Sequence, residues 1–132
     1  MSLLTIEKMI YAQAKTLGYT LKPENVPYNI DDEATPFIEV YSLPNGADEL
    51  YKGTRDEYSG IYQLSVYTDI DAGRGASINI IDDITGAFRP GTELNDSDTK
   101  LIVDGVSLTQ GRVDGNHYRS DVSINYIVFA GA

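Results

Sequence analysis

The chain contains no cysteine, no tryptophan and a single histidine in 132 residues. Without cysteine there can be no disulfide, no thiolate nucleophile and no zinc site built on thiolates. The lone His117 excludes multi-histidine metal centres, and a catalytic triad would have to use it with no supporting motif around it. Bases are scarce, with 10 Lys and Arg against 20 Asp and Glu, a net charge of −10 and a pI near 4.3. No cluster of Lys or Arg forms the basic stripe that phosphate recognition needs, so specific nucleic-acid binding is not expected. The simplest reading of the acidity is solubility and low non-specific adhesion. No apolar run reaches the roughly 18 residues of a membrane span, and the N-terminal stretch MSLLTIEKMIYAQAK lacks the basic flank and small-residue cleavage site of a signal peptide. No membrane partner is expected. With 42% hydrophobic residues and only 12 Gly and 5 Pro, the composition supports one packed core. The length fits one domain over residues 1–132.

Apolar periodicity organises the chain. Leu3, Ile6, Ile10, Ala14 and Leu17 recur at three and four, which predicts a helix over Ser2 to Leu17, capped by Ser2 and stopped by Gly18. Tyr19 to Pro36 holds Pro23, Pro27 and Pro36 and reads as an irregular connector. Phe37 to Leu43 predicts a strand, with Ile38 and Val40 on one face and Phe37, Tyr41 and Leu43 on the other. Asn45-Gly46 signals a turn, and Asp48 to Gly53 a short return strand. Tyr58 to Ile70 alternates as a strand with apolar groups on both faces. Arg74 to Phe88 predicts a second helix with a stripe of Ile81, Ile84 and Phe88, flanked by Ile78 and Ala87 and stopped by Gly86 and Pro90-Gly91. Thr92 to Thr99 reads as a polar, acidic loop. Lys100 to Arg112 predicts a strand with a turn or bulge at Asp104-Gly105. Asp114-Gly115 signals a hairpin into a final strand, His117 to Phe129. On that strand Tyr118, Ser120, Val122, Ile124, Tyr126 and Val128 share one face, and Arg119, Asp121, Ser123 and Asn125 share a face expected to be wet. The implied fold class is α+β, a mainly antiparallel sheet with two helices packed on one face.

Motifs for chemistry are weak. Gly73-Arg74-Gly75 precedes a helix but lacks the rest of a phosphate loop. Asp69-Ile70-Asp71-Ala72-Gly73 begins like a calcium loop, but its glycine comes one position early and the distal acid is missing. Asn95-Asp96-Ser97-Asp98 is another acidic turn, for which solvated acids are the simpler reading. Nothing selects a catalytic pair from the 20 acids. His117, at the start of a strand beside a turn, reads as an ordinary edge residue. No enzyme activity and no cofactor are expected. Ten Tyr against three Phe is an unusual balance. Tyr suits both half-buried sheet packing and contact surfaces, and both readings stay open.

The order of features nevertheless resembles a known family. The N-terminal helix leads through a Pro-containing connector to Pro36-Phe37-Ile38-Glu39-Val40. Leu43-Pro44 and a polar loop follow, then Gly60-Ile61-Tyr62-Gln63-Leu64-Ser65-Val66-Tyr67. The second helix runs into Phe88-Arg89-Pro90-Gly91-Thr92, and the chain closes on Tyr118-Arg119-Ser120-Asp121-Val122-Ser123-Ile124-Asn125-Tyr126. Taken together these segments resemble the tail terminator proteins of long-tailed bacteriophages, the lambda-like minor tail protein U group and its relatives. The resemblance implies a virion structural protein that assembles as a ring, typically a hexamer, on the head-proximal end of the tail. Such a ring stops tube polymerisation and presents a surface for head joining. The implied partners are other copies of the chain, the tail tube protein and the head–tail connector, with assembly in the bacterial cytoplasm. Two other classes stay open: another connector or tail-completion protein, and a small hydrolase or ligand-binding domain.

Within that frame, two places are candidate contact sites. Asp31 to Glu57 carries eight acids against Lys52 and Arg55, and its long polar loop, Asn45 to Glu57 with Arg55, Asp56 and Glu57 at its end, could order on a partner. Asp69, Asp71 and Arg74 flank the junction where the clearest strand meets the second helix. There the acids either support the helix start or join an ion pair between subunits.

Overall fold

The computed structural model describes residues 3–23, 35–44, 57–70, 74–96, 99–109, 111–114 and 117–130. Two helices, α1 (Leu3–Lys15) and α2 (Arg74–Ala87), accompany seven strands: β1 (Thr20–Pro23), β2 (Phe37–Pro44), β3 (Glu57–Asp69), β4 (Glu93–Asp96), β5 (Thr99–Leu108), β6 (Arg112–Asp114) and β7 (His117–Ala130). The strands form one sheet in the order β1-β2-β3-β7-β5-β4, with β6 also paired to β7. Every pair is antiparallel except β1 with β2. The α+β class expected from the sequence is the class observed.

α1 buries Ile6, Met9, Ile10 and Ala14, the predicted stripe widened by Met9, which lies beside it at helical spacing. It closes through tight i→i+3 bonds, Leu17 N–H to the Ala14 carbonyl and Gly18 N–H to the Lys15 carbonyl, with Gly18 at φ +83°. That left-handed conformation is the reason a glycine stands there. The amide of Gln13 then donates to the Ala87 carbonyl at 2.9 Å, tying α1 to the last turn of α2.

Directly paired residues share a sheet face. Ile38 sits opposite Val66, Val40 opposite Leu64, and across β3 Leu64 sits opposite Val122 and Tyr62 opposite Ile124 of β7. These side chains, with Tyr126 and Val128, form one buried cluster with Ile6, Ile10, Ile80, Ile84 and Phe88 of the helical segments. In β5 the burial switches parity. Leu101 and Val103 are buried before a bulge between Val103 and Gly105, and after it Val106 and Leu108 oppose Ile124 and Val122. The predicted Asp104-Gly105 irregularity is therefore the device that keeps β5 facing one way as the strand bends.

Four readings need correction. The connector after Tyr19 contains β1, because a proline at the end of an edge strand removes no interior ladder bond. The acidic loop contains β4, which pairs Glu93 to Asp96 with β5; charged residues are tolerated on an edge. The α2 stripe holds at Ile84 and Phe88, with Ile81 half-buried, but it extends to Ser77 and Ile80 rather than to the flanking Ile78, which is exposed. Ser77 fits inside because its hydroxyl donates to the Arg74 carbonyl at 3.0 Å. His117 is buried beside the middle of the sheet, since β7 pairs with β3 on one side and β6 on the other. The suggested return strand at Asp48 to Gly53 lies outside the described residues.

Candidate functional site

The face opposite the hydrophobic cluster carries a polar network, and strand register assembles it. One row across the sheet places Glu39, Ser65 and Asp121 side by side; the next places Phe37, Tyr67, Arg119 and Arg112. Arg119 Nε donates to Asp121 Oδ1 at 3.0 Å, and both terminal nitrogens of Arg112 donate to Oδ2 at 3.2 Å. Ser65 Oγ accepts from Gln63 at 3.2 Å and from Arg119 Nη2 at 3.4 Å. Beside it, Glu39 Oε1 accepts from Tyr67 at 2.7 Å and Tyr41 at 2.8 Å.

The expected wet face is therefore largely closed, with Ser65, Tyr67 and Asp121 buried. Tyr67 stacks on Phe37 at 4.8 Å between ring centroids, and His117 meets both rings edge-on at 5.5 and 5.9 Å. The Arg119 guanidinium lies 5.6 Å from the Tyr67 ring centroid, within cation–π range. Burial alone would raise the Asp121 carboxyl, but hydrogen bonds from Ser65, Arg119 and Arg112 outweigh it and hold the group below its ordinary value. Burial, reinforced by the neighbouring Glu39 carboxylate, pushes the Tyr41 phenol up to about 12. Chemically this is a charge-compensated clamp: a carboxylate bridging two guanidiniums that fixes β6 against β7.

Of the residues proposed from sequence, Arg55, Asp56 and Asp71 lie outside the described residues, and Glu57 opens β3 opposite Phe129. Asp69 and Arg74 are both exposed, one ending β3 and the other opening α2. Asp69 accepts a hydrogen bond from the Thr35 hydroxyl, and no acid occupies the first turn of α2. Among the described residues no group of three or more His, Asp and Glu could hold a metal ion, and no helix is long and apolar enough to cross a membrane. The Arg112–Asp121–Arg119 clamp was missed. Its signal was present in the Asp114-Gly115 hairpin: pairing β6 with β7 sets Arg112 opposite Arg119, with Asp121 two residues along on the same face.

The sequence matches the phage tail terminator protein family over residues 5–126. The chain belongs to that family. The match begins within the first turn of α1, covers every element between, and ends within the last part of β7. The fold of this tail terminator also recurs among solved structures. One superposes with a TM-score of 0.75 at 17% identity, covering 97% of this chain and 96% of its own. No curated protein sequence matches the terminator. Membership makes it a structural tail protein of a bacteriophage, and both the sequence resemblance and the α+β fold agree with it.

Proposed function

We propose that this terminator, as one domain over residues 1–132, assembles into a ring, a hexamer, on the head-proximal end of the tail tube. The ring stops tube polymerisation and offers the surface on which the head connector docks. Its partners are other copies of itself, the tube protein and the connector, and it works without cofactor or catalytic step. The observation that carries this reading is the family match across nearly the whole fold. The sheet supports it: the Arg112–Asp121–Arg119 clamp ties β6 to β7 on the face away from the hydrophobic cluster. The kinship to the lambda-like U group and the contact role of Arg55, Asp56, Glu57, Asp69, Asp71 and Arg74 belong to the same proposal.

With a net charge of −10, free subunits repel one another and associate more readily as salt screens them. Negative-stain imaging of the purified protein, alone and with tube protein, tests the reading. Closed rings that cap tubes of limited length support it. Tubes that grow equally long with and without the protein refute it.

A further inference from the structure

Large apolar side chains that stand exposed among the described residues number four, Ile70, Ile78, Leu108 and Val113, each 43% to 61% exposed. Single exposed apolar residues are ordinary. These four are not scattered. Ile70 directly follows β3, Ile78 lies in the first half of α2, Leu108 ends β5 and Val113 is the centre of β6. Register brings these ends together: Thr68 opposes Tyr118, Tyr118 opposes Val113, and Leu108 opposes Val122. Val113 and Leu108 therefore share the helix-bearing face with Tyr118 and Val122. Between them and α2 runs a groove of about 250 Å³ lined by Ile78, Ile81, Leu108, Gly111 and Tyr118. β6 pairs only with β7 among the described strands, so its outer edge adjoins this surface.

The charge pattern identifies the occupant. Arg74 and Asp82, one base and one acid, line the groove. Bases and acids are balanced here, whereas the whole chain has 20 acids to 10 bases. Two copies, each at −10, meet with least repulsion where charge is balanced, and mixed signs allow Arg–Asp pairs across the contact. We propose that this quarter of the molecule, with Ile78 and Leu108 at its centre, is the face on which a second copy of the chain docks. The inference rests on the ring reading. In a closed ring this face meets a different surface of the next subunit, a head-to-tail contact.

The absence of cysteine makes a clean test possible, because Ile78→Cys introduces the sole thiol. Carrying a benzophenone there, the assembled protein should yield on irradiation a covalent product of two chains. Separately, Ile78→Asp and Leu108→Asp should weaken self-association by about tenfold or more in sedimentation, as loss of one well-buried apolar contact implies. Their monomer melting temperatures should match the parent's, since both side chains are exposed. If both variants assemble like the parent and no two-chain product forms, the docking face is wrong; rings still visible in those samples would leave the ring reading standing. Cross-linking to tube protein alone would overturn the second copy as occupant. A parent that stays monomeric at every concentration and salt, with tube protein present, would overturn both readings.

Discussion

Replacing Asp121 by alanine removes the carboxylate between two guanidiniums and leaves the buried Ser65 hydroxyl beside the vacated position. A fully buried ion pair broken on one side costs about 3–5 kcal/mol, while an exposed pair is worth about 0–1 kcal/mol. The side chains here are 11% exposed for Asp121, 21% for Arg119 and 47% for Arg112, which places the clamp between those limits. We expect Asp121→Ala to cost about 2 kcal/mol, and Asp121→Asn, which keeps the acceptor but not the charge, about half of that. For a chain of this size 2 kcal/mol corresponds to a fall in melting temperature of roughly 6–10 °C. The loss should also depend on pH. The folded carboxyl sits below its unfolded value, so its stabilisation is complete above the unfolded value and disappears as pH falls through the folded one. The gap between parent and Asp121→Asn should be full above about pH 5 and shrink below about pH 4. Urea unfolding at pH 7, 5, 4 and 3 measures it. Equal stability at pH 7, or a gap unchanged down to pH 3, would refute the reasoning.

Tyr41 should resist ionisation until about pH 12. Because the folded phenol lies above its unfolded value near 10, the parent loses stability as pH rises from about 10 to about 12. Tyr41→Phe should flatten that part of an alkaline unfolding curve, and an unaltered curve would contradict the assignment. A methyl group at Gly111 would collide with the phenol hydroxyl and ring of Tyr118. Gly111→Ala should therefore cost about 1–3 kcal/mol in denaturant unfolding, with most of it recovered when Tyr118→Ala is added. Gln13→Ala deletes the hydrogen bond to the Ala87 carbonyl, and should lower stability by about 1 kcal/mol; a neutral result would mean water replaces the amide without cost.

What was legible in the sequence was whatever a local period could carry. α1, β3 and β7 follow from the spacing of Leu3 to Leu17, Tyr58 to Ile70 and His117 to Phe129, and each lies within two residues of expectation. The β5 bulge and the β6–β7 hairpin were marked by Asp104-Gly105 and Asp114-Gly115. β1 and β4 were not legible, because four residues carry too little period and both depend on a neighbour for their ladder. α2 was legible as a helix, with Ile84 and Phe88 on its buried stripe, but the extent of that stripe was not: isoleucines stand at 78, 80, 81 and 84, and only packing buries 80 while leaving 78 exposed. The clamp was half legible. Alternation placed Arg119 and Asp121 on one face, but their burial depends on the aromatic cluster of Phe37, Tyr67 and His117, drawn from three strands.

The position of β7 carries a consequence for biosynthesis. It is the strand that joins β3 to β5 and β6, yet it follows all of them in the chain. While a ribosome is still translating the residues before His117, β2–β3 and β4–β5 exist only as separate ladders with unpaired inner edges. Such nascent edges can pair with those of a neighbouring polypeptide on the same message. The sheet cannot be completed until β7 is available to pair with β3 on one side and with β5 and β6 on the other. Synthesis therefore yields a folded subunit only after this strand has left the exit tunnel, and the surfaces that could meet a partner are completed together with it.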